Sequence, residues 1–205
     1  MINQPFDMEN FLRCAKWNTL LNLYGSAHSS IIGFLSTTWL AQSNKHFVLD
    51  TAPANQVGLR NKGKLADLLL CSDSTPIVVA EVETTVKKYN DKLEVVESYL
   101  NNQEEFSGLE FGLLFLLNYT GYTGRRRDAY THHWEELKAS IGKTNHNITL
   151  VSFEKKDTKL PFDKDLHSRL NEERGYYHWR YTSIDFWIHF ENQQMKSGNL
   201  WNGNL

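Results

Sequence analysis

The sequence predicts an α/β fold, a mixed β-sheet with helices on its faces, and three features carry that expectation. Two apolar runs, "KLADLLLC" and "PIVVAEVE", flank the turn-forming "SDST", which is the pattern of an antiparallel hairpin. "LEFGLLFLLNY", Leu109 to Tyr119, is continuously apolar, as expected of a central strand covered on both faces. Stretches with helical spacing stand around these runs, so hairpin-linked strands give way to crossover helices. With 205 residues, 40% hydrophobic content and no Pro-, Gly- or Ser-rich linker, residues 1–205 are expected to form a single domain.

Each element has its own signal. Met8, Phe11, Leu12, Ala15, Leu20 and Leu23 recur near helical spacing ahead of Gly25, which predicts an N-terminal helix within residues 1–24. Ser26 caps a second helix, "AHSSIIGFLSTTWLAQ", with Ile31, Ile32, Leu35 and Trp39 inward. "HFVLDTA", His46 to Ala52, is rich in strand formers and precedes the hairpin. After the hairpin, Thr84 or Thr85 can cap a helix in which Val86, Tyr89, Leu93, Val96 and Leu100 repeat at steps of three and four. "DAYTHHWEELKASIG" reads as helix and "NITLVSFE" as strand. Residues 26–155 thus form the core. Residues 156–205 are an aromatic-rich extension, irregular or strand-rich from Tyr176, with a loose end at "SGNLWNGNL".

Bulk properties narrow the class. A net charge of -2 does not suggest a basic nucleic-acid coat and leaves room for a local positive cleft. Cys14 and Cys71, the two cysteines, lack metal-like spacing and read as buried thiols of an intracellular protein. The start, "MINQPFDMEN", lacks the features of a signal peptide, and no apolar run approaches the ~18–20 residues of a membrane span. The expectation is a soluble, cytoplasmic protein with no membrane partner.

The hairpin carries acids where a buried strand should have none. Asp67 interrupts one apolar run, while Glu81 and Glu83 close the other. A turn centred on Ser74 would set Asp67 opposite Glu81; a turn centred half a residue earlier would set it opposite Ala80. Glu81 and Glu83 share a face in either case. Two facing carboxylates in a half-buried site must either split their pKa values, so that one keeps a proton, or share a divalent cation. Hard oxygen ligands at this density suit Mg2+ (or Mn2+). The structural alternative is a pair of strand-end acids that reach water or pair with Lys87 or Lys88, and an Asp67 at a bulge or on an edge.

An acid in one strand, a hairpin, then acid-x-acid before a helix resembles the PD-(D/E)XK nuclease superfamily. "ADLLL…VVAEVETT" is similar to its half-motifs, with Asp67 at the aspartate position and Glu81 at the second acid. Ala66 stands where the motif proline does, and Glu83 where the motif lysine does. The likeness covers about Ser26 to Tyr119 by element order. It implies a restriction-endonuclease-like mixed sheet with a central antiparallel hairpin flanked by helices. It also implies a metal-dependent nuclease that hydrolyses DNA phosphodiester bonds, of restriction or repair type, and a homodimer if both strands are to be cut.

Some members of that superfamily carry glutamate at the lysine position, and in others the lysine comes from the following helix. At about 100° per residue, the apolar stripe of that helix turns Lys87 away from the core and leaves Lys88 and Lys92 at its side. Lys88, expected in the first turn near Glu83, is the preferred helper and Lys92 the second. The expected catalytic set is Asp67, Glu81, Glu83 and Lys88, with the metal on the three acids. His28, in the first turn of the preceding helix, is the ionisable group that could bind the metal or orient water there.

Substrate contacts are expected from Arg60, Lys62 and Lys64 in "GLRNKGK", and from Arg125, Arg126 and Arg127 in a loop near a helix start. The adjacent His132 and His133 lack H-E-x-x-H spacing and do not predict zinc. Two other classes remain open: a nuclease-like fold kept as a DNA-binding or protein-interaction module, and a structural protein assembled through its aromatic tail.

Overall fold

The computed structural model describes residues 5–13, 27–50, 65–83, 88–119, 125–157, 181–189 and 195–199. In chain order its elements are α1 (residues 8–13), α2 (Ala27–Gln42), β1 (His46–Asp50), β2 (Leu68–Ser72), β3 (Thr75–Glu83), α3 (Tyr89–Asn101), β4 (Phe111–Tyr119), α4 (Arg125–Ile141), β5 (Asn147–Asp157), β6 (Tyr181–His189) and β7 (Met195–Asn199). The strands lie in one mixed sheet in the order β1-β2-β3-β4-β5-β6-β7. β1, β2 and β3 run antiparallel to one another, while β3, β4 and β5 are parallel. Parallel neighbours need crossovers, and α3 and α4 supply them. The sheet therefore has the predicted five-strand core, a mixed sheet flanked by helices.

Strand alternation sorts the side chains into two apolar layers. On one face Phe11, Leu12, Ile31, Leu35 and Trp39 pack with Leu68, Leu70, Val78, Ala80 and Val82. On the other, Tyr89, Leu93, Val96, Tyr99 and Leu100 of α3 and Leu137 and Ile141 of α4 cover Leu69, Cys71, Val79, Leu114 and Leu116. By the same alternation Glu81 and Glu83 fall on the α3 face. Two contacts hold the layers close to the hairpin. The Trp39 Nε1–H donates to the Cys71 carbonyl at 2.9 Å, tying α2 to β2. At Gly112 a Cβ would stand 2.5 Å from Val96 Cγ1, so the absence of a side chain lets α3 sit tightly on β4.

Several boundaries differ from the expectation. α3 starts at Tyr89 with Lys88 at its N-cap position; the expected caps Thr84 and Thr85, and Val86, lie outside the described residues. α4 starts at Arg125, so the three arginines belong to the helix rather than to a loop. Residues 197–199, expected to be loose, belong to β7, because backbone pairing with β6 satisfies them whatever their composition. The N-terminal helix is described over residues 8–13; Ala15, Leu20, Leu23 and Cys14 lie outside the described residues. Among the described residues no helix is long and apolar enough to cross a membrane.

Candidate active site

Asp67 meets Glu81 through a turn and a bulge acting together. Asp73 and Ser74 are the two central turn residues, both left-handed with φ of 47° and 72°, as a tight two-residue hairpin requires. A turn centred between them would by itself put Asp67 opposite Ala80. The ladder begins that way, with Ser72 opposite Thr75 and Cys71 opposite Pro76, but the next pair is Leu70 with Val78. Ile77 is the extra residue of a bulge, and its carbonyl accepts the Glu110 N–H at 3.1 Å. Beyond it Leu68 pairs with Ala80, so Asp67, one residue further, comes opposite Glu81.

Two hydrogen bonds tie Asp67 to the end of β3 where the strands part. The Asp67 N–H donates to Glu81 Oε1 at 3.2 Å, and the Val82 N–H donates to Asp67 Oδ2 at 2.8 Å. The Lys92 ammonium reaches in from the first turn of α3, 2.5 Å from Glu81 Oε2 and 3.7 Å from Asp67 Oδ2. His28 Nε2, from the first turn of α2, lies 3.4 Å from Asp67 Oδ2 on the outer side. Glu81 is fully buried and Glu83 nearly so. The cluster thus draws on both helical layers and on two strands.

Its electrostatics follow from more acids than bases in a dry place. Burial, reinforced by the Asp67 carboxylate, pushes the Glu81 carboxyl up to about 8 against the opposing pull of Lys92. For Lys92 burial works against the ammonium, but Glu81, with Asp67 and Glu83 behind it, holds its pKa above the ordinary lysine value. Both shifts draw protons into the cluster.

The geometry separates the two lysines expected beside the acids. Lys88 is exposed at the N-cap position, and Lys92 makes the contact. α3 starts at Tyr89, later than its apolar stripe suggests, so Lys92 rather than Lys88 stands in its first turn. Glu83 shares the face and the burial of Glu81 and adds to the field at Lys92. Arg125, Arg126 and Arg127 open α4, which follows β4, the parallel neighbour of β3; their side chains, like all of Arg60, Lys62 and Lys64, lie outside the described residues.

His132 and His133 both pair with Glu136, at 3.3 and 3.4 Å, on an open helix surface. Among the described residues no three His, Cys, Asp or Glu side chains form a group ready to hold a metal ion. In the cluster itself the Lys92 ammonium already stands against both carboxylates. Sequence reasoning passed over Tyr99, whose hydroxyl accepts the Ala66 N–H at 3.3 Å. The available signal was a tyrosine inside the apolar stripe of α3, since a buried phenol usually finds a polar partner. Comparison with protein-family models, curated proteins and solved structures returns no match.

Proposed function

We propose that this chain is a metal-dependent nuclease of the PD-(D/E)XK type, with a restriction-endonuclease-like core, that hydrolyses phosphodiester bonds of DNA. What carries the reading is the meeting of Asp67, Glu81 and Lys92 at one point where the hairpin parts, with the lysine arriving from the following helix. Carboxylate oxygens are the ligands a hard divalent cation prefers, and a cation between Asp67 and Glu81 would have to share them with Lys92. Asp67, Glu81 and Glu83 are the residues that would hold Mg2+ (or Mn2+). When bound, such an ion supplies a Lewis acid to the phosphate and lowers the pKa of a bound water.

The chain's own residues account for the rest. Hydrolysis adds water across the P–O bond: a new P–O bond forms from the water oxygen, and the leaving oxygen takes up a proton. Lys92, held on Glu81, would neutralise charge developing on the phosphate and keep a proton within reach of the reacting oxygens. The Val82 N–H holds Asp67 Oδ2 and so orients that carboxylate, with His28 Nε2 standing 3.4 Å from the same oxygen. Arg60, Lys62, Lys64, Arg125, Arg126 and Arg127 would bind the DNA phosphates. Cutting both strands with one site per chain would require a homodimer.

One observation favours a second reading. Lys92 neutralises the carboxylates within the protein, so the cluster can persist without a metal and the fold can serve as a DNA-binding or protein-interaction module. Supercoiled plasmid incubated with Mg2+ or Mn2+, against a chelator control, separates the two. The nuclease reading expects cation-dependent cutting and a Mn2+ thermal shift, both lost in Glu81→Ala. Absence of both in the wild-type protein would end that reading, and plasmid retention without cutting would favour the module.

A further inference from the structure

We propose that Tyr99 is a positioning residue of the carboxylate cluster, its hydroxyl fixing the chain one residue ahead of Asp67 by accepting the Ala66 N–H. Asp67 precedes the first ladder pair of β2 with β3, Leu68 with Ala80, so among the described residues no ladder pair holds its backbone. Three hydrogen bonds hold it instead: Asp67 N–H to Glu81 Oε1, Val82 N–H to Asp67 Oδ2, and Ala66 N–H to the Tyr99 hydroxyl. The first two depend on the carboxylates themselves. Any ligand that draws on Asp67 or Glu81 competes with those bonds, whereas the Tyr99 bond does not involve the carboxylates.

The bond has a firm base. Ala66 is 2% exposed, so water cannot readily take the place of the hydroxyl. Tyr99 is fully buried, and its ring lies 5.0 Å from that of Phe106. Tyr99 stands two helical turns beyond Lys92 on α3, so a single rigid helix places the ammonium at one end and the anchor for Asp67 at the other. A drift of α3 would then move both together, which keeps the lysine and the aspartate in register.

The functional half of this inference rests on the nuclease reading; the structural half does not. The test uses Tyr99→Phe, Ala66→Pro and the double variant of the full chain. Ala66→Pro deletes the N–H that Tyr99 serves, so the effect of Tyr99→Phe should be present in the Ala66 protein and absent in the Ala66→Pro background. The first readout is hydrogen exchange at the Val82 amide, which reports whether the Asp67 carboxylate is in place. Tyr99→Phe should speed that exchange about tenfold, and the double variant should match Ala66→Pro alone. The second readout is plasmid cleavage. Tyr99→Phe should lower kcat about tenfold with KM little changed, as a misplaced catalytic group does, and the penalty should vanish in the Ala66→Pro background. Unchanged Val82 exchange in Tyr99→Phe, or an equal penalty in both backgrounds, overturns the proposal. A wild-type protein that never cuts DNA overturns the nuclease reading alone, and the exchange measurement still decides the role of Tyr99.

Discussion

Replacing Asp67 by asparagine and by alanine separates what this residue does for the fold from what it does for chemistry. Its Oδ2 accepts the Val82 N–H at 2.8 Å, and Val82 is 1% exposed. Alanine removes that acceptor and leaves a buried donor with no partner, which costs about 1–3 kcal/mol. Two smaller changes work against each other. The Lys92 ammonium loses a partner at 3.7 Å, while Glu81 loses the neighbour that helps push its pKa up. The net expectation for Asp67→Ala is a loss of about 1–2 kcal/mol, which for a slope near 2 kcal/mol per molar lowers the urea midpoint by roughly 0.5–1 M. Asparagine keeps a carbonyl oxygen in the same place, so its stability should stay within about 0.5 kcal/mol of wild type. Plasmid cleavage with Mn2+ should be lost in both, since neither retains the charge. Asparagine that cuts DNA like wild type would falsify the role given to the Asp67 carboxylate, and alanine as stable as asparagine would refute the hydrogen-bond argument.

Other expectations concern the lysine, the buried acid and the turn. Lys92→Met should reduce cleavage by about 100-fold or more while Lys88→Met leaves it unchanged, because among the described residues Lys92 is the lysine that touches the acids; equal losses at both positions would show that general surface charge matters instead. Folded Glu81 binds its proton more tightly than the unfolded chain does, so the native state holds the extra proton from about pH 4.5 to about 8. Its contribution to stability is therefore full below that window and is lost as pH rises through it; Glu81→Gln should flatten denaturation midpoints over that range, and an unchanged slope counts against a raised Glu81. Ser74, at φ 72°, pays a steric penalty that glycine does not, so Ser74→Gly should raise stability by about 0.5–1 kcal/mol in urea melts without altering cleavage.

The parts of the fold that could be read from the sequence are those set by local patterns. The apolar stripe of α3, the unbroken run of β4 and the turn chemistry of "SDST" each state their element directly, and Tyr89, Leu93, Val96 and Leu100 are buried as their spacing implies. The meeting of Asp67 with Glu81 was legible only in part. The expected register supposed a turn centred on Ser74, whereas the turn lies half a residue earlier and Ile77 supplies the compensating residue. Nothing in "TPIVV" marks Ile77 as a bulge, because the bulge is fixed from outside the hairpin, where β4 begins and Glu110 donates to it. The exchange of Lys88 for Lys92 has a similar cause. Caps such as Thr84 and Thr85 signal where a helix is permitted to begin, but packing of Tyr89 and Leu93 against the sheet decides which lysine stands in its first turn.

If the proposed nuclease reading holds, the glutamate at position 83 has a physical explanation. An ammonium is useful where its nitrogen ends up, and a lysine stem is long enough to reach one point from different backbones. Lys92 brings that nitrogen from α3 to within reach of Asp67 and Glu81, which frees the strand position to carry an acid. A lysine at 83 as well would set two ammonium groups in one buried pocket and raise the cost of ionising either. A glutamate there does the reverse, and the field of Glu83 is among those that hold Lys92 in its charged form. On the proposed nuclease reading, the acid on the strand and the lysine on the helix are therefore coupled, each making the other tolerable. The coupling can be tested directly. Glu83→Lys with Lys92→Met should recover more cleavage than Lys92→Met alone if the nitrogen's position is what matters, and no recovery would mean that α3 supplies something the strand cannot.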